Sequence, residues 1–196
     1  MRLYAPSPVS EILDRLLDDP AVARAVVAHR VVPSTPARFA EVPPWVDPRI
    51  VRGLATAGQE RLWTHQAAAA QALHDGRDTV VVTPTASGKT LCYNLPVLQS
   101  VAEDPAARAL YLFPTKALGQ DQVAAFRALA SASGLDIACA TYDGDTPAPV
   151  RSTVRSAGQV VVTNPDMLHA AILPHHTKWF QLFEQLRYVV VDELHT

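Results

Sequence analysis

Five short apolar runs, each followed directly by a polar stretch, constrain the fold of this chain more than any other feature. They are TVVVT (79–83), ALYLF (109–113), IACAT (137–141), QVVVT (159–163) and YVVVD (188–192). The runs are apolar throughout instead of alternating, which is typical of parallel strands buried on both faces. Helix-length segments separate them, and in residues 115–131 apolar side chains recur on one helical face. The pattern predicts an α/β fold, an open parallel sheet with helices on both faces.

The first 57 residues follow a different pattern. Residues 8–30 carry an apolar stripe at helical spacing, and Pro20 is placed to begin a second short helix. Five prolines between positions 33 and 48 exclude a helix there. A short helix is expected over Asp47–Ala57, and a longer, alanine-rich one over Thr64–Asp75. We therefore predict three regions, listed here in chain order: a helical N-terminal extension (1–32), a proline-rich linker with a short helix (33–57) and the main domain (58–196).

Composition excludes several classes of protein. Of 196 residues, 48% are hydrophobic and 18% charged, which indicates a folded domain and not a disordered chain. A net charge of −2 gives no general attraction to nucleic acid, so any such binding requires local groups. Cys92 and Cys139 lie in apolar surroundings, which predicts buried thiols without a zinc site or disulfide. No apolar run approaches the roughly 18 residues of a membrane span, and residues 1–8 lack the apolar core of a signal peptide. We expect a cytoplasmic protein without membrane association.

The polar stretch after the first run suits phosphate binding. It has the sequence TPTASGKT, and its residues are Thr83, Pro84, Thr85, Ala86, Ser87, Gly88, Lys89 and Thr90. In such a loop, backbone N–H groups surround the oxygens and a glycine, here Gly88, permits their close approach. Lys89 would neutralise the β- and γ-phosphates, and the Thr90 hydroxyl would bind Mg²⁺. Thr83 stands where the first glycine of the GxxxxGK[ST] pattern would be. Only three of the 17 basic residues are lysine, which favours a chemical role for Lys89.

Two carboxylates, Asp192 and Glu193, follow the last apolar run. A carboxylate at a strand tip beside a phosphate loop can hold Mg²⁺, and its neighbour can activate water as a general base. Ligands of open α/β sheets bind at the carboxyl ends of the strands. We therefore predict that Lys89 and Asp192 meet at this edge on one magnesium–triphosphate.

Four stretches at the same edge resemble motifs I, Ia, Ib and II of superfamily 2 helicases of the DEXH/DEAH-box type. They are TPTASGKT (83–90), FPTKAL (113–118), TNPDML (163–168) and DELH (192–195). TPTASGKTLCYNLP, TYDGDTP (141–147) and VDELHT are most similar to bacterial mitomycin-repair-factor-type DNA helicases and their eukaryotic RecQ-like relatives. The resemblance covers about residues 30–196. It implies a RecA-like sheet with ATP and Mg²⁺ as cofactors, and loops of this superfamily commonly lack the glycine expected at Thr83.

The resemblance also implies roles for residues outside the loop. Gln66 would read adenine, because its amide can pair with both the N6 donor and the N7 acceptor. Arg38, Phe39 or Trp45 are candidates to cover the adenine face, with ordinary packing as the alternative. His195 would couple the nucleotide site to nucleic acid or to a second lobe.

Nucleic-acid contacts are implied for the residues of motifs Ia and Ib and of the TYDGDTP stretch. They are Thr115, Lys116, Gly144, Thr163 and Asn164. Helix N-termini at strand tips bind phosphate oxygens through free N–H groups without reading bases. Gly144 would contribute its backbone, because the neighbouring Asp143 and Asp145 repel phosphate.

Taken together, the resemblance implies the ATP-binding lobe of an ATP-dependent 3′→5′ DNA helicase or translocase, acting in DNA repair on single-stranded or tailed DNA. The sequence stops directly after motif II, so we expect the second RecA-like lobe to be missing from this chain. That lobe carries arginine fingers, typically worth about 10³–10⁵ in rate. The monomeric lobe alone should therefore be nearly inactive. Two alternatives stay open: an RNA helicase lobe, and a catalytically incompetent nucleotide-binding interaction domain if the chain is naturally this short.

Overall fold

The protein forms two compact units, Met1–Pro36 and Ala37–Thr196, in a computed structural model that describes residues 9–28, 30, 36–84 and 87–194. The smaller unit contains helices α1 (Val9–Asp18) and α2 (Pro20–Ala25). The Asp19 side chain caps α2 by accepting a hydrogen bond from the Ala21 N–H at 2.8 Å. Pro20 occupies the first turn of α2, as the sequence predicts.

The larger unit alternates strands and helices. Its strands are β1 (Phe39–Ala40), β2 (Leu62–Trp63), β3 (Arg108–Leu112), β4 (Cys139–Thr141), β5 (Val160–Thr163) and β6 (Leu186–Val191). Its α-helices are α3 (Pro48–Thr56), α4 (Thr64–His74), α5 (Thr90–Glu103), α6 (Lys116–Ala132), α7 (Ala148–Ala157), α8 (Pro165–Met167) and α9 (Phe180–Glu184). A π-helical segment (Leu168–Ile172) and a 3₁₀ segment (Leu173–Trp179) link α8 to α9. Helices α3, α4 and α6 confirm the predicted ones to within one residue at each end. Among the described residues, no helix is long and apolar enough to cross a membrane.

The main sheet has four strands in the order β4–β5–β3–β6, and every pairing is parallel. Strands β1 and β2 form a separate antiparallel pair. Because all four strands of the main sheet run the same way, their carboxyl ends meet at one edge. This is the RecA-like open parallel sheet that the sequence predicts.

Helices cover both faces of the sheet, and side chains of β3 alternate between the two cores. Tyr111, together with Phe113 just beyond the strand, faces the core that α3–α6 build, whereas Leu110 and Leu112 face the core built with α7 and α9. The central strands β3 and β5 are buried almost throughout, as their unbroken apolar runs predict. The edge strand β6 instead alternates between half-buried and exposed positions.

The prediction of a strand over 79–83 is wrong for this structure. The segment forms no strand, and the side chains of Val80 and Val82 are 80% and 89% exposed. A strand requires a neighbour for its backbone N–H and C=O groups, and no strand of the described chain pairs with this segment. The other four runs form β3, β4, β5 and β6.

Residues 37–57, predicted as a linker with a short helix, contribute to the larger unit. Val46 precedes α3, and Ile50 and Leu54 lie on that helix; all three are in the core shared with α5 and α6. The boundary between the two units therefore falls after Pro36, at the second of the clustered prolines.

Both cysteine thiols are free and buried, as predicted, and burial raises their pKa values to about 11 for Cys92 and about 12 for Cys139. Only the thiolate reacts, and each pKa unit lowers the thiolate fraction at neutral pH about tenfold. Relative to their ordinary pKa of 9.0, we expect native Cys92 and Cys139 to hold about 100-fold and about 1,000-fold less thiolate at neutral pH, and therefore to react slowly with a disulfide reagent. Absorbance of released thionitrobenzoate measures this, with two thiols appearing in guanidinium. A thiol that reacts within seconds in the native protein would contradict the burial.

Candidate functional site

The loop that precedes α5 folds back on itself around Lys89. The Lys89 ammonium donates a hydrogen bond to the carbonyl oxygen of Thr83 at 3.1 Å. The Thr83 and Ser87 hydroxyls lie 2.6 Å apart. Thr90 then begins α5. Pro84 follows Thr83, whereas Thr85 and Ala86 lie outside the described residues.

Gly88 is required by its backbone conformation and by its surroundings. Its φ of +75° is one that residues with side chains rarely adopt. A Cβ at this position would lie 2.6 Å from Nε2 of Gln66. The close approach exists because Gln66 Nε2 donates a hydrogen bond to the Gly88 carbonyl oxygen at 2.8 Å.

The first turn of α4 holds this loop. Gln66 is only 4% exposed, and its Oε1 accepts a hydrogen bond from the Trp63 N–H at 2.9 Å. Nε2 of His65 lies 3.0 Å from the carbonyl oxygen of Ser87. The Gln66 amide is therefore already bonded on both its oxygen and its nitrogen, and only its second N–H and second lone pair are left for a base.

The three candidates for covering adenine do not all lie near Gln66 in the structure. Trp45 stacks on His74, in the last turn of α4, with ring centroids 4.1 Å apart, and so lies at the other end of that helix from Gln66. Phe39 pairs across the β1–β2 ladder with Trp63, beside the first turn of α4. The preceding residue, Arg38, accepts a hydrogen bond from the Thr64 N–H at 3.0 Å.

Phe39 and Trp63 form an exposed aromatic pair, of which the sequence predicts Phe39 but not Trp63 as a candidate to cover adenine. The side chains are 43% and 42% exposed, and the Arg61 guanidinium lies 4.7 Å from the Phe39 ring centre. The sequence signal for Trp63 was its position, because it is an aromatic residue three positions before Gln66.

Asp192 lies at the carboxyl end of β6, where its N–H donates to the Leu112 carbonyl oxygen at 3.0 Å. Burial raises the pKa of Tyr93 to about 12; a hydrogen bond with Thr90 opposes this rise, and the charge of Asp192 adds to it. The Tyr93 hydroxyl itself donates a hydrogen bond to Gln122 Oε1 on α6 at 3.3 Å. Glu193 follows with a φ of +52°, and its N–H donates to Asp192 Oδ1 at 3.1 Å. His195 lies outside the described residues.

Residues of the predicted nucleic-acid motifs line one cleft at the carboxyl ends of β3, β4 and β5. The lining residues are Thr115, Lys116, Gly119, Thr141, Asp143, Val162, Thr163 and Asn164. Thr115 caps α6 by accepting a hydrogen bond from the Leu118 N–H at 3.3 Å, and Asn164 caps α8 by accepting one from the Met167 N–H at 2.8 Å. Gly144 lies beside this cleft, because a Cβ on it would lie 3.9 Å from Lys116 Nζ.

Thr163 differs from the other residues of this group. Its side chain is 6% exposed, and its hydroxyl donates to the carbonyl oxygen of Tyr142 at 2.7 Å. The hydroxyl therefore ties β5 to the loop after β4.

Several proteins with similar sequences are helicases. "Uncharacterized ATP-dependent helicase YprA" of Bacillus subtilis is 53% identical over 184 residues, which are 94% of this chain and 25% of that protein. "ATP-dependent helicase HRQ1" of Saccharomyces cerevisiae is 35% identical over 189 residues, which are 95% of this chain and 17% of that protein. The chain thus spans a quarter or less of the length of these relatives.

Solved structures give the same assignment. The DUF1998 helicase MrfA bound to DNA matches with a TM-score of 0.84 and 50% identity, over 94% of this chain and 26% of that one. The same helicase bound to DNA and AMPPNP matches with a TM-score of 0.79 and 57% identity, over 81% of this chain and 22% of that one. The family model described as DEAD/DEAH box helicase matches residues 63–196. This chain belongs to the DEAD/DEAH box helicase family.

Proposed function

We propose that this chain is the ATP-binding lobe of an ATP-dependent 3′→5′ DNA helicase or translocase that acts in DNA repair. The observation that carries the proposal is the phosphate-loop geometry before α5, where Gly88 has a φ of +75° and is held by Gln66, in a chain whose residues 63–196 match the DEAD/DEAH box helicase family. The DNA-bound state of the similar MrfA structures supports DNA over RNA. A cytoplasmic location and a monomeric lobe belong to the same proposal.

The residues around the loop fit a magnesium–nucleotide. Gly88 permits the left-handed turn of the loop, Lys89 offers a cation, and Thr90 and Asp192 offer oxygen ligands of the kind that Mg²⁺ prefers. Among the described residues, no group of three His, Cys, Asp or Glu side chains could hold a metal ion by itself. The ion would therefore depend on phosphate oxygens for most of its ligands. When bound, Mg²⁺–ATP supplies charge neutralisation and the γ-phosphate that is cleaved.

The chain's own residues have distinct parts in this proposal. Lys89 would exchange the Thr83 carbonyl oxygen for the β- and γ-phosphates, and backbone N–H groups of the TPTASGKT loop would surround the phosphate oxygens. Glu193 takes a proton from the attacking water at its carboxylate. Gln66 holds the loop through Gly88 and offers its remaining N–H to adenine.

Nucleic acid would bind at the cleft without reading bases. Lys116 would contact a phosphate with its ammonium group. Thr115 and Asn164 cap α6 and α8 and so position the first turns of these helices at the cleft. Gly144 would offer its backbone N–H. Thr163 would act by holding β5 to the loop after β4, since its hydroxyl is already bonded. Contacts of this kind suit movement along any sequence.

Nucleotide titrations of the 196-residue chain test the ATP site. Binding of a fluorescent ATP analogue should require Mg²⁺, and Asp192→Asn should weaken the Mg²⁺-dependent part about tenfold, because one of the ion's protein ligands loses its charge. Asp121→Asn, at an exposed position of α6, serves as the charge-matched control. Equal affinity with Mg²⁺ and with a chelator would contradict the assignment of Thr90 and Asp192.

Oligonucleotide binding tests the choice between DNA and RNA. Single-stranded DNA and RNA of the same sequence are compared by fluorescence anisotropy, with the prediction that DNA binds at least as tightly. Tighter binding of RNA would favour the RNA helicase alternative.

A further inference from the structure

Lys116, the cation that lines the cleft, already takes part in an ion pair. The Lys116 ammonium lies 2.5 Å from Oδ2 of Asp145, and the side chains are 47% and 81% exposed. The contact holds the pKa of Lys116 above its ordinary value and that of Asp145 below it. Lys116 is the one lysine or arginine among the described residues that line this cleft. Its charge is therefore neutralised before any phosphate arrives.

The pair bridges the tip of a third strand. Lys116 follows β3 and Asp145 follows β4, and β5 lies between these two strands in the sheet. The contact therefore passes over the carboxyl end of β5, where Thr163 and Asn164 lie. A backbone phosphate in the cleft that Lys116 and Asn164 line together would therefore meet an ammonium that is already paired with Asp145.

The loop that carries Asp145 does not need this pair to keep its shape. Arg151 donates hydrogen bonds to the carbonyl oxygens of Asp143, Gly144 and Thr146 at 3.0, 2.9 and 2.8 Å. The Asp143 carboxylate, in a residue only 7% exposed, accepts from the Asp145 N–H at 2.9 Å and from the Thr146 hydroxyl at 3.1 Å. Loop geometry thus depends on Asp143 and Arg151, and the Asp145 carboxylate, in a side chain that is 81% exposed, is not needed to maintain it.

We propose that Asp145 is an electrostatic latch on Lys116, which competes with nucleic-acid phosphate for the ammonium group. Binding of a strand transfers Lys116 from Asp145 to a phosphate, and the exposed aspartate rotates into solvent. Exposed ion pairs are weak and exchange readily, so the latch lowers affinity without closing the site. The inference rests on the proposed nucleic-acid contact of Lys116 and assigns a role to an aspartate that would otherwise only repel phosphate.

Four versions of the 196-residue chain test the latch: unsubstituted, Lys116→Ala, Asp145→Asn and the double variant. Their affinities for fluorescein-labelled oligo(dT) are measured by anisotropy over a series of salt concentrations. We expect Asp145→Asn to bind about three- to fivefold more tightly, the scale of an exposed ion pair. We expect Lys116→Ala to bind more weakly and to lower the salt slope by about 0.7, the value for one phosphate of a single strand.

The double variant separates competition from general repulsion. If Asp145 acts through Lys116, the gain from Asp145→Asn largely disappears in the Lys116→Ala background. Asp136→Asn is the matched control, because this exposed aspartate lies before β4, at the opposite end of the same strand. It makes the same change of net charge away from the cleft and should leave affinity unchanged.

The outcomes distinguish failure of the latch from failure of the proposed nucleic-acid contact of Lys116. Equal effects of Asp145→Asn and Asp136→Asn, with Lys116→Ala still weakening binding, would overturn the latch and leave the nucleic-acid edge intact. An equal gain from Asp145→Asn with and without Lys116 would also overturn the latch. Unchanged affinity in Lys116→Ala, or no binding by any version, would instead overturn the proposed nucleic-acid contact.

Discussion

Replacing Lys89 with alanine is expected to weaken Mg²⁺–ATP binding by about 100-fold, the effect of losing charge-assisted hydrogen bonds worth about 3 kcal/mol in total. The chain has three lysines, and this one ends a loop whose other members offer only backbone and hydroxyl groups. In the protein without nucleotide the ammonium is bonded to the Thr83 carbonyl oxygen. The substitution therefore removes one hydrogen bond from the free protein, and its cost falls mainly on the bound state. Isothermal titration with ATP measures the difference.

Lys178→Ala is the matched control for this substitution. Lys178 is exposed in the 3₁₀ segment after β5, outside the loop and the cleft. Its removal makes the same change in net charge and should leave ATP affinity within about twofold. Equal affinities for Lys89→Ala and Lys178→Ala would contradict the phosphate-loop assignment, provided that circular dichroism shows the same helix content in both.

The sheet was predictable where a strand's own residues decide its environment. The apolar runs of β3 and β5 are buried on both faces because these strands lie at the centre. The run at 79–83 carries the same pattern, yet it forms no strand. Valines favour a buried strand, but a strand also needs a neighbour for its backbone, and without one Val80 and Val82 are exposed. That neighbour is a property of the whole sheet, and local sequence does not contain it.

For the candidate site, the sequence predicted where individual residues lie better than it predicted which residues contact one another. Spacing alone located Gly88 and Thr90 at the start of a helix, because the loop motif is local. The two bonds of Gln66 join it to Trp63 and to a loop 22 positions away. Such partners depend on how α4 packs on α5, which the sequence does not specify.

The ion pair of Lys116 and Asp145, which lie 29 positions apart, was likewise not predictable from the sequence. Each residue follows a recognisable strand, so both were predicted to lie at the same edge. Their contact depends on the strand order, in which only β5 separates β3 from β4. The acidic residues of the loop after β4 could therefore be identified as unfavourable for phosphate from sequence, but not as partners of the lysine.

Replacing Gly88 with alanine should lower ATP affinity at least about tenfold, because the new Cβ displaces Gln66. Gln66 Nε2 would lie 2.6 Å from that Cβ, and the amide is the flexible partner, so it must rotate away. Rotation breaks its hydrogen bonds to the Gly88 carbonyl oxygen and the Trp63 N–H. The loop then loses its tie to α4, and ordering it around the phosphates carries a larger entropic cost. Titration with ATP and thermal unfolding are measured on the same samples.

Gly76→Ala separates this effect from backbone strain. Gly76 follows α4 with a φ of +76°, against +75° for Gly88, and nothing lies within 4 Å of a Cβ placed there. Gly76→Ala should lower the free energy of unfolding by about 1–2 kcal/mol, the cost of a left-handed conformation for alanine, and Gly88→Ala should lower it further because it also breaks the hydrogen bonds of Gln66. Only Gly88→Ala should weaken ATP binding, and Gln66→Ala should add little to it, because both act through one contact. Equal ATP affinities in the two glycine variants would show that Gln66 does not hold the loop in its binding conformation.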